Sequence, residues 1–249
     1  TRPADDAITL LNRAYDMFDG VNGMRQDKLG ARELFRQAAD LGNAEAMNKL
    51  GLIYDAGDGV PVDDREAVAW YRKGAYLGSP VAMSNLGQMY LYGEGVPADA
   101  AESKKWFTRS ANLGHPAAMV FLADSYYGNK DYAEALKWYE KAADAGNALG
   151  MLSAGLMYGF GEGSPVDQRK AAEYYRRSAD GGNAQGMRHL GDSYYNGLGV
   201  PLDYGQAMTW YRKAADAGDA NAYASIGALF ARGEGVAKDP EEAVSWYRR

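Results

Sequence analysis

The sequence contains no cysteine and only two histidines. Without cysteine the chain can form no disulfide, thiolate nucleophile or cysteine-based metal site, and the composition does not indicate a redox compartment. The histidines, His115 and His189, lie too far apart along the chain to form the closely spaced pair that binds metal on one helix. We therefore predict a protein with no metal site and no cofactor.

Positive charge and long apolar runs are also scarce. The 27 Lys and Arg residues are outnumbered by 33 Asp and Glu residues, and the formal net charge is −6. This balance provides no general attraction for nucleic acid or anionic lipid. No apolar run approaches the roughly 20 residues that cross a bilayer. These features predict a soluble chain that binds no nucleic acid and does not insert directly into a membrane.

The sequence begins at Thr1, without an initiator methionine and without the basic and apolar segments of a secretory signal. We interpret this start either as the product of leader removal or as a fragment of a longer chain. A periplasmic or secreted location is the first hypothesis, and a cytoplasmic location is the alternative.

An internal repeat is the strongest feature that the sequence does contain. Five tryptophans are each followed by Tyr or Phe, and a Tyr-Tyr pair fills the one gap in the series. These aromatic pairs begin at Trp70, Trp106, Trp138, Tyr174, Trp210 and Trp246. They recur every 36 residues, except for one 32-residue step. Such a period is typical of arrays of stacked structural repeats.

Two further residue types indicate a helix pair within each repeat. Glycine suits the left-handed residue just past a helix end, and aspartate suits an N-cap whose carboxylate accepts backbone N–H groups. The glycines are Gly42, Gly78, Gly114, Gly146, Gly182 and Gly218, and the aspartates are Asp27, Asp63, Asp99, Asp131, Asp167, Asp203 and Asp239. Glu or Gln follows most of these aspartates by three residues, as at Glu66, which predicts a capping-box-like start for the second helix.

Glycine also recurs inside the first helix of the pair. Because a helical glycine costs about 1 kcal/mol relative to alanine, its return predicts close approach between helices. The positions are Gly51, Gly87, Gly155, Gly191 and Gly227, and Ala123 takes this place in one further repeat. A tight Gly-x-Gly-Val-Pro connection, as at 57–61, joins the two helices, and one copy is shortened to Gly128-Asn129-Lys130. Since these glycines connect helix to helix, they do not predict a phosphate-binding loop.

Aromatic residues and methionines share repeat positions, which predicts that they pack in the core. The two sets are Tyr54, Tyr90, Tyr126, Tyr158, Tyr194 and Phe230, and Met47, Met83, Met119, Met151 and Met187. We likewise assign Trp138 to packing. His115 takes the place of Asn at a turn between repeats and is interpreted as a cap. His189 is interpreted as a surface residue, or as one that faces a partner.

The ordered motifs Leu-Gly-x-x-Tyr, Gly-x-Gly-Val-Pro, Asp-x-x-x-Ala and Trp-Tyr-x-x-Ala-Ala resemble those of Sel-one-like repeats, relatives of tetratricopeptide repeats. The resemblance covers nearly the whole chain; the first repeat diverges and one loop is short. It implies an all-α, right-handed α/α superhelical solenoid of about seven helix-pair repeats. The predicted boundaries are 1–43, 44–79, 80–115, 116–147, 148–183, 184–219 and 220–249, with the last repeat incomplete.

The resemblance also implies a function: a non-enzymatic adaptor or scaffold, of a kind found in bacteria, that holds a protein or peptide in its concave groove. One alternative is a segment of a cell-envelope assembly that uses its ends or convex face. A less favoured alternative is a β-lactam-binding or β-lactam-hydrolysing enzyme, because this chain lacks the cysteines of such relatives and shows no serine motif. The oligomeric state is left open.

The tetratricopeptide scheme turns the residues two before and two after the conserved Leu of the first helix toward the groove. The predicted groove residues are therefore Asn48, Leu52, Ser84, Gln88, Val120, Asp124, Leu152, Leu156, Arg188 and Asp192. Val120, Leu149, Leu152 and Leu156, with Tyr127 nearby, are expected to form an exposed apolar strip with a polar rim. The alternative is that these leucines are additional core.

Overall fold

The computed structural model describes residues 6–249, which form fourteen helices and no strand. The predicted all-α repeat architecture is confirmed, because the helices follow one another as seven pairs. The first helices are α1 (Ala7–Asp19), α3 (Ala44–Ala56), α5 (Pro80–Tyr92), α7 (Pro116–Gly128), α9 (Ala148–Phe160), α11 (Ala184–Asn196) and α13 (Ala220–Arg232). The second helices are α2 (Lys28–Asp40), α4 (Asp64–Tyr76), α6 (Ala100–Asn112), α8 (Tyr132–Asp144), α10 (Gln168–Asp180), α12 (Tyr204–Asp216) and α14 (Pro240–Tyr247).

The chain divides into two compact units, Thr1–Ala118 and Met119–Arg249, here called the N-terminal and C-terminal units. Within the N-terminal unit, each helix from α1 to α6 packs against the next, and α3 also contacts α5. Within the C-terminal unit the same is true from α8 to α14, and α9 also contacts α11. In these two pairs, the first helices of neighbouring repeats therefore touch each other, and the contact buries some of their side chains.

The predicted N-caps are confirmed at the second helix of every repeat. All seven aspartates accept a backbone N–H from the first turn, and the Asp63 carboxylate accepts that of Glu66 at 3.0 Å. The second interaction of a capping box, in which the glutamate side chain accepts the N–H of the capping residue, does not form at Glu66. Its Oε1 instead accepts the indole N–H of Trp70 at 2.9 Å, and the Asp63 N–H donates to the carbonyl of Tyr54.

The glycines behave as the sequence predicts. Those that end each repeat have positive φ, for example 85° at Gly42. Those inside the first helices face an aromatic ring of the second helix. At Gly191 an added Cβ would lie 2.6 Å from Cδ1 of Tyr211, a side chain that is buried. The ring therefore occupies the space that a methyl group would need.

Replacing Gly191 with Ala should destabilise the C-terminal unit by about 1–3 kcal/mol, the usual cost of overpacking a core. The higher helix propensity of alanine offsets about 1 kcal/mol of this at most. The ring cannot move away freely, because the Tyr211 hydroxyl donates to Asp192 Oδ1 at 2.8 Å. Urea unfolding followed by circular dichroism measures the change.

Gly128→Ala is the matched control for this substitution. Gly128 is also helical, but an added Cβ there meets no atom within 4 Å. We expect its stability to be unchanged or raised by up to about 1 kcal/mol. If Gly191→Ala raised stability as well, the close approach between helix and ring would not be a packing constraint.

Core packing follows the repeat positions with some variation. Leu50, Leu86, Leu122 and Leu190 are fully buried, as are Ile53 and Ile226. Met47, Met83 and Met119 are buried as predicted, whereas Met151 and Met187 are only partly buried. Trp70, Trp106 and Trp210 are buried, but Trp138 is only partly buried, so its assignment to the core is corrected.

Candidate functional site

The predicted groove residues divide into a buried and an accessible set. Asn48, Ser84, Val120 and Leu152 are buried, so their predicted place on an open groove surface is wrong. The accessible or partly accessible set comprises Leu52, Gln88, Asp124, Tyr127, Leu149, Leu156, Arg188 and Asp192. The predicted apolar strip therefore loses Val120 and Leu152 and keeps Leu149, Leu156 and Tyr127.

Contact between first helices explains the burial of Asn48 and Leu152. The side-chain amide of Asn85 on α5 donates to Asn48 Oδ1 on α3 at 2.9 Å, so the position two before the conserved Leu lies at the junction of two repeats. Leu152 has the same repeat position on α9, which is contacted by α11, and it is only 2% exposed. The alternative that this leucine is additional core is therefore the correct one.

Two of the accessible predicted residues, Tyr127 and Leu156, line a small cleft in the C-terminal unit. Its volume is about 190 Å³, and it is lined by Tyr127, Tyr139, Ser153, Leu156, Met157, Phe160 and Glu162. Phe160, the last residue of α9, is 72% exposed. Helix α7 contributes Tyr127, α8 contributes Tyr139, and α9 contributes the apolar side chains. We call this feature the Leu156 cleft.

Two carboxylates accept hydrogen bonds from tyrosines that line the Leu156 cleft; of these carboxylates, Glu162 itself lines the cleft. The Tyr127 hydroxyl donates to Glu162 Oε1 at 3.2 Å, and the Tyr139 hydroxyl donates to Asp124 Oδ1. The hydrogen bond to Glu162 raises the pKa of Tyr127, and burial raises the pKa of Asp124. In each carboxylate one oxygen accepts the hydrogen bond from the tyrosine, and the second oxygen can accept another donor. The cleft thus combines an apolar floor with acceptor groups at its rim.

Arg188 and Asp192 form a satisfied ionic network rather than an open polar rim. The guanidinium of Arg188 donates to Asp219 Oδ2 at 2.9 Å and to Asp192 Oδ2 at 3.2 Å. The side chain of Asp219 is buried and also caps α13 through the N–H of Asn221. These two predicted residues therefore join α11 to the start of α13.

The two histidines have structural surroundings. His115 Nδ1 accepts the N–H of Ala118 at 3.3 Å, which confirms its interpretation as a cap. His189 is not a freely exposed residue, because its ring stacks on Tyr175 with centroids 5.2 Å apart. Burial and the neighbouring Arg188 lower the pKa of His189. Within residues 6–249 no cluster of histidine and carboxylate side chains is arranged to hold a metal ion.

Sequence reasoning missed five residues of the cleft: Tyr139, Ser153, Met157, Phe160 and Glu162. The repeat pattern assigns Tyr139 to packing and Glu162 to the connection between helices, and it gives no role to Ser153, Met157 or Phe160. A signal for Phe160 was present, since the residue before the loop glycine is Ala56, Tyr92, Asn196 and Arg232 in the other repeats that have the Gly-x-Gly connection. That variation within a regular repeat marks a position that the fold does not constrain.

Comparison with known proteins follows from this architecture. The family model described as Sel1 repeat matches residues 7–43, 44–79, 80–115, 116–147, 148–183, 184–219 and 220–249. No curated protein sequence matches the chain significantly. None of the helices formed by residues 6–249 combines the length and the apolar character needed to traverse a lipid bilayer.

Several solved structures are similar to this chain. A protective antigen from uropathogenic Escherichia coli, c5321, is 39% identical with a TM-score of 0.88 over 98% of this chain. This chain spans only 53% of that antigen's length. A Sel1 repeat protein from Oxalobacter formigenes is 34% identical, with a TM-score of 0.85, over 96% of this chain and 97% of its own.

The immunity protein Pa5087 from Pseudomonas aeruginosa, at 21% identity and a TM-score of 0.58 over 86% of this chain and 83% of its own, shares the fold. Repeats of the Sel1 type generally form scaffolds for protein–protein interaction. Because the Sel1 repeat model accounts for seven consecutive segments, and two solved Sel1-type structures align with almost all of the sequence, the chain belongs to the Sel1 repeat family.

Proposed function

We propose that this chain is a non-enzymatic interaction scaffold that binds a protein or peptide on the first-helix face of its C-terminal unit. The observation that carries the proposal is the Leu156 cleft, where Leu156 and the exposed Phe160 lie beside Tyr127. Exposed apolar side chains with a polar rim are typical of protein-binding surfaces. Leu149, on the same helix α9 and also exposed, extends the apolar surface.

The repeat itself supports a role for Leu156 outside folding. The equivalent residues of the flanking repeats are Asp124 and Asp192, each of which accepts a hydrogen bond from the tyrosine of its second helix. Tyr175 is the corresponding tyrosine of the 148–183 repeat. A polar residue is therefore compatible with the fold at this position, and leucine adds apolar surface that the fold does not require.

Leu156→Asn tests the proposal, since asparagine can accept a hydrogen bond from Tyr175 as the two aspartates do and adds no charge. We expect an unchanged thermal midpoint and binding of the partner weakened about tenfold to a hundredfold. This factor corresponds to a loss of about 1.5–3 kcal/mol of binding free energy, the amount gained by burying one leucine side chain. The measurement is affinity capture from the native source, followed by titration of the captured partner.

Leu202→Asn is the matched control. Leu202 is an exposed leucine in a connection between helices, and the equivalent residue in the last repeat is the exposed Lys238. Capture by this variant should equal that of the parental chain. Equal capture by a folded Leu156→Asn variant would show that the partner binds elsewhere.

A further inference from the structure

The C-terminal unit contains the frame of the Leu156 cleft twice. In the first copy the frame residues are Tyr127, Tyr139, Ser153 and Glu162, and at the equivalent positions two repeats later they are Tyr195, Tyr211, Ser225 and Glu234. In both copies the first tyrosine donates to the loop glutamate: Tyr127 to Glu162 at 3.2 Å, and Tyr195 to Glu234 at 2.8 Å. The two copies can therefore be compared residue by residue.

The second copy contains a cation supplied by the chain itself. Arg232, the last residue of α13, donates from its guanidinium to the hydroxyl of Tyr195. The same nitrogen lies 3.8 Å from Glu234 Oε2. The guanidinium thus contacts both members of the tyrosine–glutamate pair in this copy, as a planar group with several donors can.

The first copy has the same pair without the cation. Phe160 occupies the position of Arg232, and Leu156 occupies that of Ala228. Across residues 6–249, Glu162 makes no ion pair with a lysine or arginine. The first copy therefore has apolar side chains where the second has an arginine. It retains the tyrosine hydroxyl and the glutamate carboxylate with which an arginine can pair.

We propose that the Leu156 cleft selects a segment of a partner protein in which an apolar side chain stands next to an arginine. The apolar side chain packs against Leu156 and Phe160, and the guanidinium binds Glu162 and the Tyr127 hydroxyl as Arg232 binds Glu234 and Tyr195. This inference rests on the proposed function and adds the chemistry of the partner. Asp124, which accepts the hydroxyl of the lining residue Tyr139, adds negative potential that favours the cation and disfavours acidic segments.

Phage display of random dodecapeptides against the full chain provides the probe. The enriched peptides are synthesised, and their affinities are measured by fluorescence anisotropy. We expect peptides with arginine beside Leu, Phe, Met or Trp. Glu162→Gln should weaken their binding about fivefold, as for loss of one partly exposed charge pair. The matched variant Glu234→Gln should leave it unchanged, because Arg232 already occupies that copy.

Phe160→Arg is a second, independent variant. It reproduces the residue of the other copy, so the new guanidinium should pair with Glu162 and occupy the place of the ligand cation. We expect an unchanged thermal midpoint and loss of the arginine-containing peptides, at least as severe as that caused by Glu162→Gln. Binding retained by a folded Phe160→Arg variant would overturn the inference.

The remaining outcomes separate the inference from the proposed function. Neutral or acidic peptides that are lost with Leu156→Asn would overturn the arginine preference and leave the cleft as the binding site. Arginine-containing peptides that bind Leu156→Asn and Glu162→Gln as well as the parental chain would overturn both. Absence of any enriched peptide would overturn the inference, because a site of this kind recognises a short segment.

Discussion

Replacing Leu152 with Glu should unfold the C-terminal unit at neutral pH or destabilise it by about 4 kcal/mol or more. Leu152 is only 2% exposed, so the variant loses the packing of a core leucine, a loss of about 2–5 kcal/mol for truncation to alanine. It also places a carboxylate among core side chains, which adds the cost of burying an ionisable group.

The destabilisation should depend on pH in a defined direction. Burial raises the pKa of the new carboxyl group in the folded chain above its unfolded value of about 4.3. The folded state then binds more protons than the unfolded state, so stability falls as the pH rises through and above about 4.3. Leu152→Gln has nearly the same shape and no titrating group, and it should be destabilised without this additional pH dependence.

Urea unfolding of both variants between acidic and neutral pH, followed by circular dichroism, measures the effect. The difference between the Glu and Gln variants isolates the charge from the change in packing. A Leu152→Glu variant with parental stability and no added pH dependence would mean that Leu152 faces solvent. In that case the tetratricopeptide projection would be right for this position.

The repeat architecture could be predicted from the sequence because residues with the same structural role recur at equivalent positions in several repeats. Asp63 and its six counterparts cap a helix through the same carboxylate contact, so one inference about capping is supported at seven places. Gly191 and its counterparts are required by the aromatic ring packed on them, and both partners appear at fixed spacing. Averaging over copies removes the ambiguity of any single position.

The candidate site was predicted only in part, because some of its residues, such as Phe160, are specific to single repeats and do not recur along the chain. Leu156 and Tyr127 were identified, but Leu152 was assigned to the surface, because its burial depends on how closely α11 approaches α9. The distance between these two helices cannot be predicted from the residue type at position 152. Glu162 was missed because the residue between two loop glycines was interpreted as part of the connection, and Phe160 was given no role. Sites arise where one repeat departs from the others, and averaging conceals such departures.

The tryptophans show a departure that the sequence does explain. Val60 packs against the core cluster that contains Trp70, and Val96 packs against the cluster that contains Trp106. The 116–147 repeat lacks this valine, since its connection is shortened to Gly128-Asn129-Lys130. Trp138, unlike Trp70 and Trp106, is only partly buried. The missing loop residue predicts a smaller contribution of Trp138 to stability than of Trp70.

Trp70→Ala should destabilise the N-terminal unit by about 3–5 kcal/mol, the usual cost of truncating a buried tryptophan. Trp70 is buried, its indole N–H donates to Glu66 Oε1 at 2.9 Å, and the Lys73 ammonium lies 3.7 Å from the ring centroid. Removing the ring therefore leaves a cavity and also deprives two neighbouring side chains of their partner.

Trp138→Ala should cost clearly less, about 1–2 kcal/mol, because less apolar area returns to water and the 116–147 repeat has no valine equivalent to Val60. Its cation–π contact is matched to that of Trp70, since the Lys141 ammonium lies 3.9 Å from the ring centroid. The difference between the two variants therefore reports burial and the indole hydrogen bond. Urea unfolding followed by circular dichroism compares them, and equal losses would show that the valine connection does not determine how strongly a tryptophan stabilises its repeat.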